Sequence, residues 1–374
     1  MSSHVKRILG PTLGKDEQVI LNHHTECPTV KRLLQSLEAE ANAVREQLSS
    51  EEVEIIDDFW KRTKDLCADL TKRGIQIDVP TFQELMEEAV QGHKRVRAFE
   101  KSKELMSLKD SVINAVKDNG RIYPTITSES AVTGRITVNG PAMQNFPSVV
   151  RKSIIPKVSG NHLYYLDYKS MEPSVFAALS KDEALIEDIQ SGDLYSVLTS
   201  GLFHEEGDSG SSHYRDDIKT LFLAAFMYGG DVNYNISKLK LPIQAHQWNL
   251  LLKKYDVANA YRSEIIQKKQ CQSLIGIPYD FNRATVNIFN RFIQSEAALI
   301  FKQMLLKLAG LEQSKNFKMI LPIHDAILIE ADSPDTANAV AVEMEDSFNE
   351  IVDMNIAKVT MQSLTSGGDS DGPQ

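Results

Sequence analysis

Residues Leu163–Leu179 read LYYLDYKSMEPSVFAAL. The first residues are apolar and aromatic, as in a buried strand. One aspartate, Asp167, stands at the end of that run, and Glu172 and Pro173 then open a helix-like pattern. A carboxylate at the lip of a strand is costly to bury unless a cation or several donors pair with it. A second lone aspartate, Asp325, lies in KMILPIHDAILIEAD (Lys318–Asp332), a stretch that predicts a β-hairpin turning near His324. Two readings stand at this point. The aspartates cap turns at strand ends, or they share divalent cations, with magnesium the natural choice because it takes hard oxygen ligands and phosphates.

Reading outward, Arg215–Gly230 (RDDIKTLFLAAFMYGG) predicts a helix with Arg215 and Lys219 on one face. Such a pair either grips a triphosphate, the arginine as a fork and the lysine as a point charge, or forms a solvated basic face. Tyr228 followed by glycine can offer a flat surface to a base. Upstream, AVTGRITVNGPAMQNFP sets Arg135, Gln144 and Asn145 in a Gly- and Pro-containing loop. Their polar groups suit phosphates, sugars and base edges, or their own backbone turns.

The 374 residues suffice for more than one packed unit. Apolar residues make up 42% and charged residues 25%, the mix of a soluble globular protein, and no apolar run is long enough to span a bilayer. The N-terminus has no apolar signal core, so the expected location is the cytoplasm. Cys27, Cys67 and Cys271 are widely spaced and read as free thiols. His23, His24 and Cys27 read as an ordinary polar loop, because no second ligand pair accompanies them. The net charge of −10 lacks the overall basic footprint of a nucleic-acid protein. The cations are clustered, however, with five in His93–Lys103 and three in Tyr261–Lys269, and binding is decided locally.

The pattern divides the chain. Residues 1–29 read as an irregular lead-in and 30–120 as mostly helical, with Gly74 stopping a helix and Pro80 near the start of the next. Short β-type pieces begin after Gly120. A long amphipathic helix is expected over Asn282–Gly310, then the hairpin, a last helix, a short strand, and a disordered tail at 363–374. There are no internal repeats.

Together the segments TGRITVNGPAMQNFP, DYKSMEP, RDDIKTLFLAAFMYG, NRFIQ and HDA, in that order, resemble the motifs of the family A DNA polymerases. The resemblance runs from about residue 70 to the end. It implies an α+β right-hand polymerase fold, with an antiparallel β-sheet palm and mostly helical thumb and fingers. The implied thumb is 30–120, the palm 121–200 and 281–362, and the fingers 201–280. It implies two magnesium ions, replaceable by manganese, on Asp167, Asp325 and the carbonyl of Tyr168. It places the incoming dNTP on Arg215 and Lys219, Lys219 also protonating pyrophosphate, with Tyr228 beside the nascent pair and Glu172 as a gate against the ribose 2′-hydroxyl. Arg135, Gln144, Asn145, Asn290 and Gln294 would follow primer–template DNA, and His324 the primer end. The implied protein is a monomeric DNA polymerase, and the few residues before the thumb lead us to expect no proofreading domain. A single-subunit RNA polymerase shares much of the motif order, but Glu172 argues against it. An inactive DNA-binding relative is the third reading.

Four departures bear on these expectations. Ala326 stands where the family has a glutamate. Ser174 stands where an arginine is common. Neither Leu223 nor Ala224 supplies the usual sugar-contacting aromatic, which leaves Phe222 or Phe226. Lys219 and Tyr228 stand nine residues apart, where the family has eight. At ~100° per residue, nine puts the two side chains ~180° apart and eight puts them ~80° apart. A π-bulge or a break between them is therefore expected.

Overall fold

A computed structural model describes residues 5, 9, 13, 28–91, 98–203, 211–282 and 287–364. The helical first part comprises α1 (Pro28–Glu46), α2 (Ser50–Arg73), α3 (Val79–Gln91) and α4 (Ala98–Ala115), with β1 (Ile75–Gln76) between α2 and α3. Ser49 caps α2 with a capping box, and Gly74 ends it at φ 62°, the positive φ that glycine adopts most readily. The segment expected to be irregular differs in part. Val5 and Leu9 are helical, and with Leu13 they are buried against Leu37 and Ala41 of α1. An apolar residue every four positions gave that small core its stripe. His23, His24, Cys27 and the first five residues of the basic stretch at 93–103 lie outside the described residues. Cys67 and Cys271 are free thiols.

Next come β2 (Arg121–Ile122), β3 (Thr125–Thr127), β4 (Thr137–Asn139) and β5 (His162–Tyr168). Helices α5 (Met171–Ser180), α6 (Glu183–Gln190) and α7 (Leu194–Leu202) lead to α8 (Arg215–Leu221), whose axis continues as a π-helical turn over Phe222–Met227. Then follow α9 (Val232–Leu239), α10 (Ala245–Leu252), α11 (Asp256–Lys268), the small pair β6 (Gln270–Gln272) and β7 (Pro278–Asp280), and α12 (Ile288–Leu311). The chain closes with β8 (Phe317–Ile323), β9 (Ala326–Ala331), α13 (Pro334–Val352) and β10 (Val359–Ser363).

The central sheet is antiparallel, in the order β10-β5-β9-β8. Pro322, which cannot donate to a ladder, lies in β8 at the sheet edge. The hairpin read from Lys318–Asp332 is present, turning at His324 and Asp325 between the paired Ile323 and Ala326. Every residue of β9 is buried, because β5 and β8 flank it and α13 packs on the sheet. Tyr168 at the end of β5 donates its hydroxyl to the carbonyl of Met344 in α13 at 2.6 Å.

Two expectations are corrected. The long helix begins at Ile288, not Asn282, and it is buried on most of its circumference, Glu296 and Lys302 included, rather than on one stripe. It is packed from several sides at once, which an amphipathic pattern cannot record. The tail does not begin at 363: Ser363 pairs with Tyr164, and Leu364 is buried and donates its N–H to the carbonyl of Leu163. Composition read Ser363 as the start of a polar tail, and long-range strand pairing overrode it.

Candidate active site

Asp167, the next-to-last residue of β5, lies directly opposite Ala326 of β9 and Thr360 of β10. Asp325 occupies the tight turn between β8 and β9, so both carboxylates stand at one end of the sheet. The preceding His324 adopts φ 59°, a left-handed conformation that is uncommon outside glycine and concentrates at functional sites. Burial, reinforced by the charge of Asp325, pushes the Asp167 carboxyl up to about 7, although Lys219 and Arg151 pull against that shift. Burial lowers the His324 imidazole below its ordinary value. Ala326 is fully buried, on the face of the sheet that Asp167 occupies. The absent glutamate would have added a third carboxylate there.

Helix α8 brings its cations to this end. The charge of Lys219 is close enough to lower Asp167. Arg215 is held by Asp193, the N-cap of α7, with Nε at 2.7 Å and Nη2 at 3.0 Å, and also reaches Asp216 at 2.6 Å. Beyond Lys219 the expected irregularity is present. Tyr228 donates its N–H to Leu223, five residues back, and Gly230 to Ala224, six back, at 2.9 and 2.8 Å. The π turn absorbs the ninth residue. Phe222 and Phe226, considered as substitutes for the sugar-contacting aromatic, are both buried and pack on each other and on Phe176, Tyr195 and Tyr255. They belong to the core.

Glu172 joins three segments. Ser170 takes φ 51° after β5, a turn sharp enough to set Glu172 in the first turn of α5. The Glu172 carboxylate accepts from Arg135 and from the Tyr228 hydroxyl, the latter at 2.5 Å. Burial raises its pKa, and the Arg135 charge and the Tyr228 bond oppose the rise. Gln294, on α12, lies close enough to the Tyr228 hydroxyl to lower its pKa. Arg135, Glu172, Tyr228 and Gln294, read from four separate segments, thus meet in one polar cluster.

The other expected contacts are mixed. Asn145, Gln144 and His324 line an open cleft with Lys101 and Lys103 of α4. Asn145 is exposed. The Gln144 amide is engaged with backbone: it accepts from Val138 and donates to Ile136 at 3.2 Å and to Pro322 at 3.4 Å. Its visible role is to fasten the loop to β8. Asn290 lies one turn before Gln294, and its Oδ1 is buried with no hydrogen-bond partner. The side chain of Tyr168 faces the core.

The sequence reading missed Arg151 and Tyr195. Arg151 stacks on the Tyr165 ring at 4.4 Å and bears on Asp167. Its only signal was a cation in the loop after Pro147. Tyr195 gave none, being one apolar position on a helix. Among the described residues no group of three or more His, Cys, Asp or Glu side chains could hold a metal. The two facing carboxylates do fit a hard cation whose remaining ligands are carbonyl, water and phosphate oxygens. No helix among the described residues is long and apolar enough to cross a membrane.

Paired carboxylates at the end of an antiparallel sheet, faced by a helix with two cations, define a right-hand polymerase fold and its central cleft. Residues 29–370 match the model of DNA polymerase family A, and the chain belongs to that family. It is 23% identical to the thermostable DNA polymerase I of Thermus aquaticus over 290 residues, 70% of this chain and 34% of that protein. It is 29% identical to DNA polymerase I of Mycobacterium bovis over 161 residues, 40% of this chain and 18% of that protein. The chain thus spans about a third or less of the length of these relatives. Among solved structures, it resembles the POL domain of Pol1 from M. smegmatis in complex with DNA primer–template and dNTP. The TM-score is 0.72 at 17% identity, covering 97% of this chain and 80% of that one. At that identity the likeness establishes the fold.

Proposed function

We propose that this chain is a template-directed DNA polymerase that adds dNTPs to a primer 3′-hydroxyl, working as a monomer in the cytoplasm. The observation that carries the reading is the convergence of Asp167, Asp325 and Lys219 at one sheet end with the Glu172–Tyr228 bond beside them. In this assignment 30–120 is the thumb, 121–200 and 281–362 the palm, and 201–280 the fingers. The M. smegmatis complex, a protein of the same fold, supports primer–template DNA and dNTP as ligands.

The primer 3′-hydroxyl gives its proton to water, and its oxygen bonds to the α-phosphorus as the bond to the pyrophosphate oxygen breaks. Asp167, Asp325 and the carbonyl of Tyr168 would hold two magnesium ions, or manganese in their place, which would supply charge neutralisation to the transfer. Arg215 and Lys219 bind the triphosphate, and Lys219 is placed to give the departing pyrophosphate its proton. To do so Arg215 exchanges the Asp193 carboxylate for phosphate oxygens. Glu172, fixed from both sides by Arg135 and Tyr228, stands where a ribose 2′-hydroxyl would collide. Arg135, Asn145, Asn290 and Gln294 face the primer–template, His324 its primer end, and Gln144 supports their loop. Positioning and charge placement do most of this work.

The test is primer extension with dNTPs or rNTPs, using the wild type, Asp167→Ala, Asp325→Ala and Glu172→Ala. Extension should require dNTPs, vanish in both aspartate variants, and admit rNTPs in Glu172→Ala. A wild type that binds the duplex but extends nothing would replace the proposal with a DNA-binding relative that has lost its chemistry. Ala326, opposite Asp167, is the residue that makes this alternative concrete.

A further inference from the structure

We infer that Tyr195 is a positioning residue for the incoming triphosphate: its buried ring is a pedestal that holds Arg215 and Lys219 at the spacing phosphates require. The inference rests on the proposed role of those two cations. Tyr195 lies in the first turn of α7 and is 2% exposed. The guanidinium carbon of Arg215 lies 5.6 Å from its ring centroid and the ammonium of Lys219 5.5 Å. The two cations are four residues apart on α8, so they project from one helix face and reach one ring. Both distances lie within the range of cation–π attraction.

The ring is itself fixed from other directions. Phe222, the first residue of the π turn, meets it edge-on at 6.2 Å and 69°. Ser170, in the turn between β5 and α5, lies close enough to the Tyr195 hydroxyl to lower its pKa. Tyr195 therefore ties α7, α8, the π turn and the end of the carboxylate-bearing strand to one rigid group. Two long, rotamer-rich side chains are thereby restrained before any ligand arrives, which lowers the ordering cost of binding.

The form of the restraint suits a ligand with many acceptor oxygens. Asp193 holds Arg215 through its N–H donors, and a phosphate must displace it. An aromatic face attracts a cation through its quadrupole and uses no donor. The ring can thus keep both cations in place while their N–H groups turn to phosphate.

The experiment measures dNTP KM and kcat, primer–template affinity, and inhibition by inorganic tripolyphosphate, which binds the cations without a base. Tyr195→Leu should raise the dNTP KM and the tripolyphosphate inhibition constant together, by about tenfold, with duplex affinity unchanged. Tyr195→Phe should stay within about twofold of the wild type, because the ring is retained. If Tyr195→Leu fails to fold, progressively fluorinated phenylalanines at position 195 keep the shape while draining the ring's negative face, and the affinity loss should grow with fluorination. Unchanged constants in Tyr195→Leu, no trend on fluorination, or a Tyr195→Phe as impaired as Tyr195→Leu would each overturn the pedestal. If the wild type extends no primer, the polymerase reading fails, and calorimetry of tripolyphosphate binding to the same variants still decides the role of Tyr195.

Discussion

Asp167 combines burial with a like charge beside it. Its carboxyl is mostly buried and faces Asp325, and even with Lys219 and Arg151 nearby it is raised from 3.8 to about 7. Between those two values the folded protein holds a proton that the unfolded chain has released. Stability from this group therefore falls as pH rises through that window, and above about 7 the full penalty is present. In metal-free protein, Asp167→Asn should raise the melting temperature at pH 8, in line with a gain of about 2 kcal/mol, a value reduced from the full shift because the carboxyl reaches the cleft. The gain should shrink toward pH 5, and the variant should be inactive. Thermal melts of both proteins across pH with a chelator present make the comparison; a gain independent of pH would overturn the assignment. The aspartates were legible in the sequence because a lone charge inside an apolar strand run is conspicuous. Arg151 and Tyr195 were not, because an arginine in a loop and a tyrosine on an apolar helix face have ordinary explanations, and only the fold brings them to the same sheet end.

At the level of elements, the π turn over Phe222–Met227 reconciles the nine-residue step with a Tyr228 that still reaches Glu172. The turn closes on glycine for a steric reason. A Cβ on Gly230 would stand 2.7 Å from the carbonyl oxygen of Ala224, the atom that accepts the Gly230 N–H. Gly230→Ala must open the turn, cost about 1–2 kcal/mol of stability, and pull Tyr228 away from Glu172. The expected result is a lower melting temperature together with increased rNTP incorporation, read by gel extension. Loss of stability with unchanged sugar selection would show that the turn and the gate are independent. The irregularity was legible because helical geometry fixes angle by residue count. The hairpin was legible because its apolar runs flank one polar pair. The true start of α12 and the last residues of β10 were not, since burial from several sides and long-range strand pairing leave no local period.

Over the whole molecule, net charge and binding charge separate. The sum of −10 would repel a polyanion at long range, yet Lys101 and Lys103 stand with Asn145 and His324 along one cleft, Arg135 and Arg151 bear on His324, and Lys219 bears on Asp167. Composition alone pointed away from DNA, because it sums over faces that the fold keeps apart. Affinity for a primer–template depends on how many phosphates those local cations neutralise, since each releases condensed counterions. With about five such contacts, the dissociation constant should rise by a few hundredfold between roughly 50 and 200 mM salt. The affinity itself should be modest, because the acidic remainder of the surface opposes approach at low salt, where screening is weakest. Fluorescence anisotropy of a labelled duplex across that salt range measures the slope. A slope near zero would mean that the cleft cations do not meet phosphate, and it would remove the electrostatic basis for placing the duplex in the cleft lined by Lys101, Lys103, Asn145 and His324.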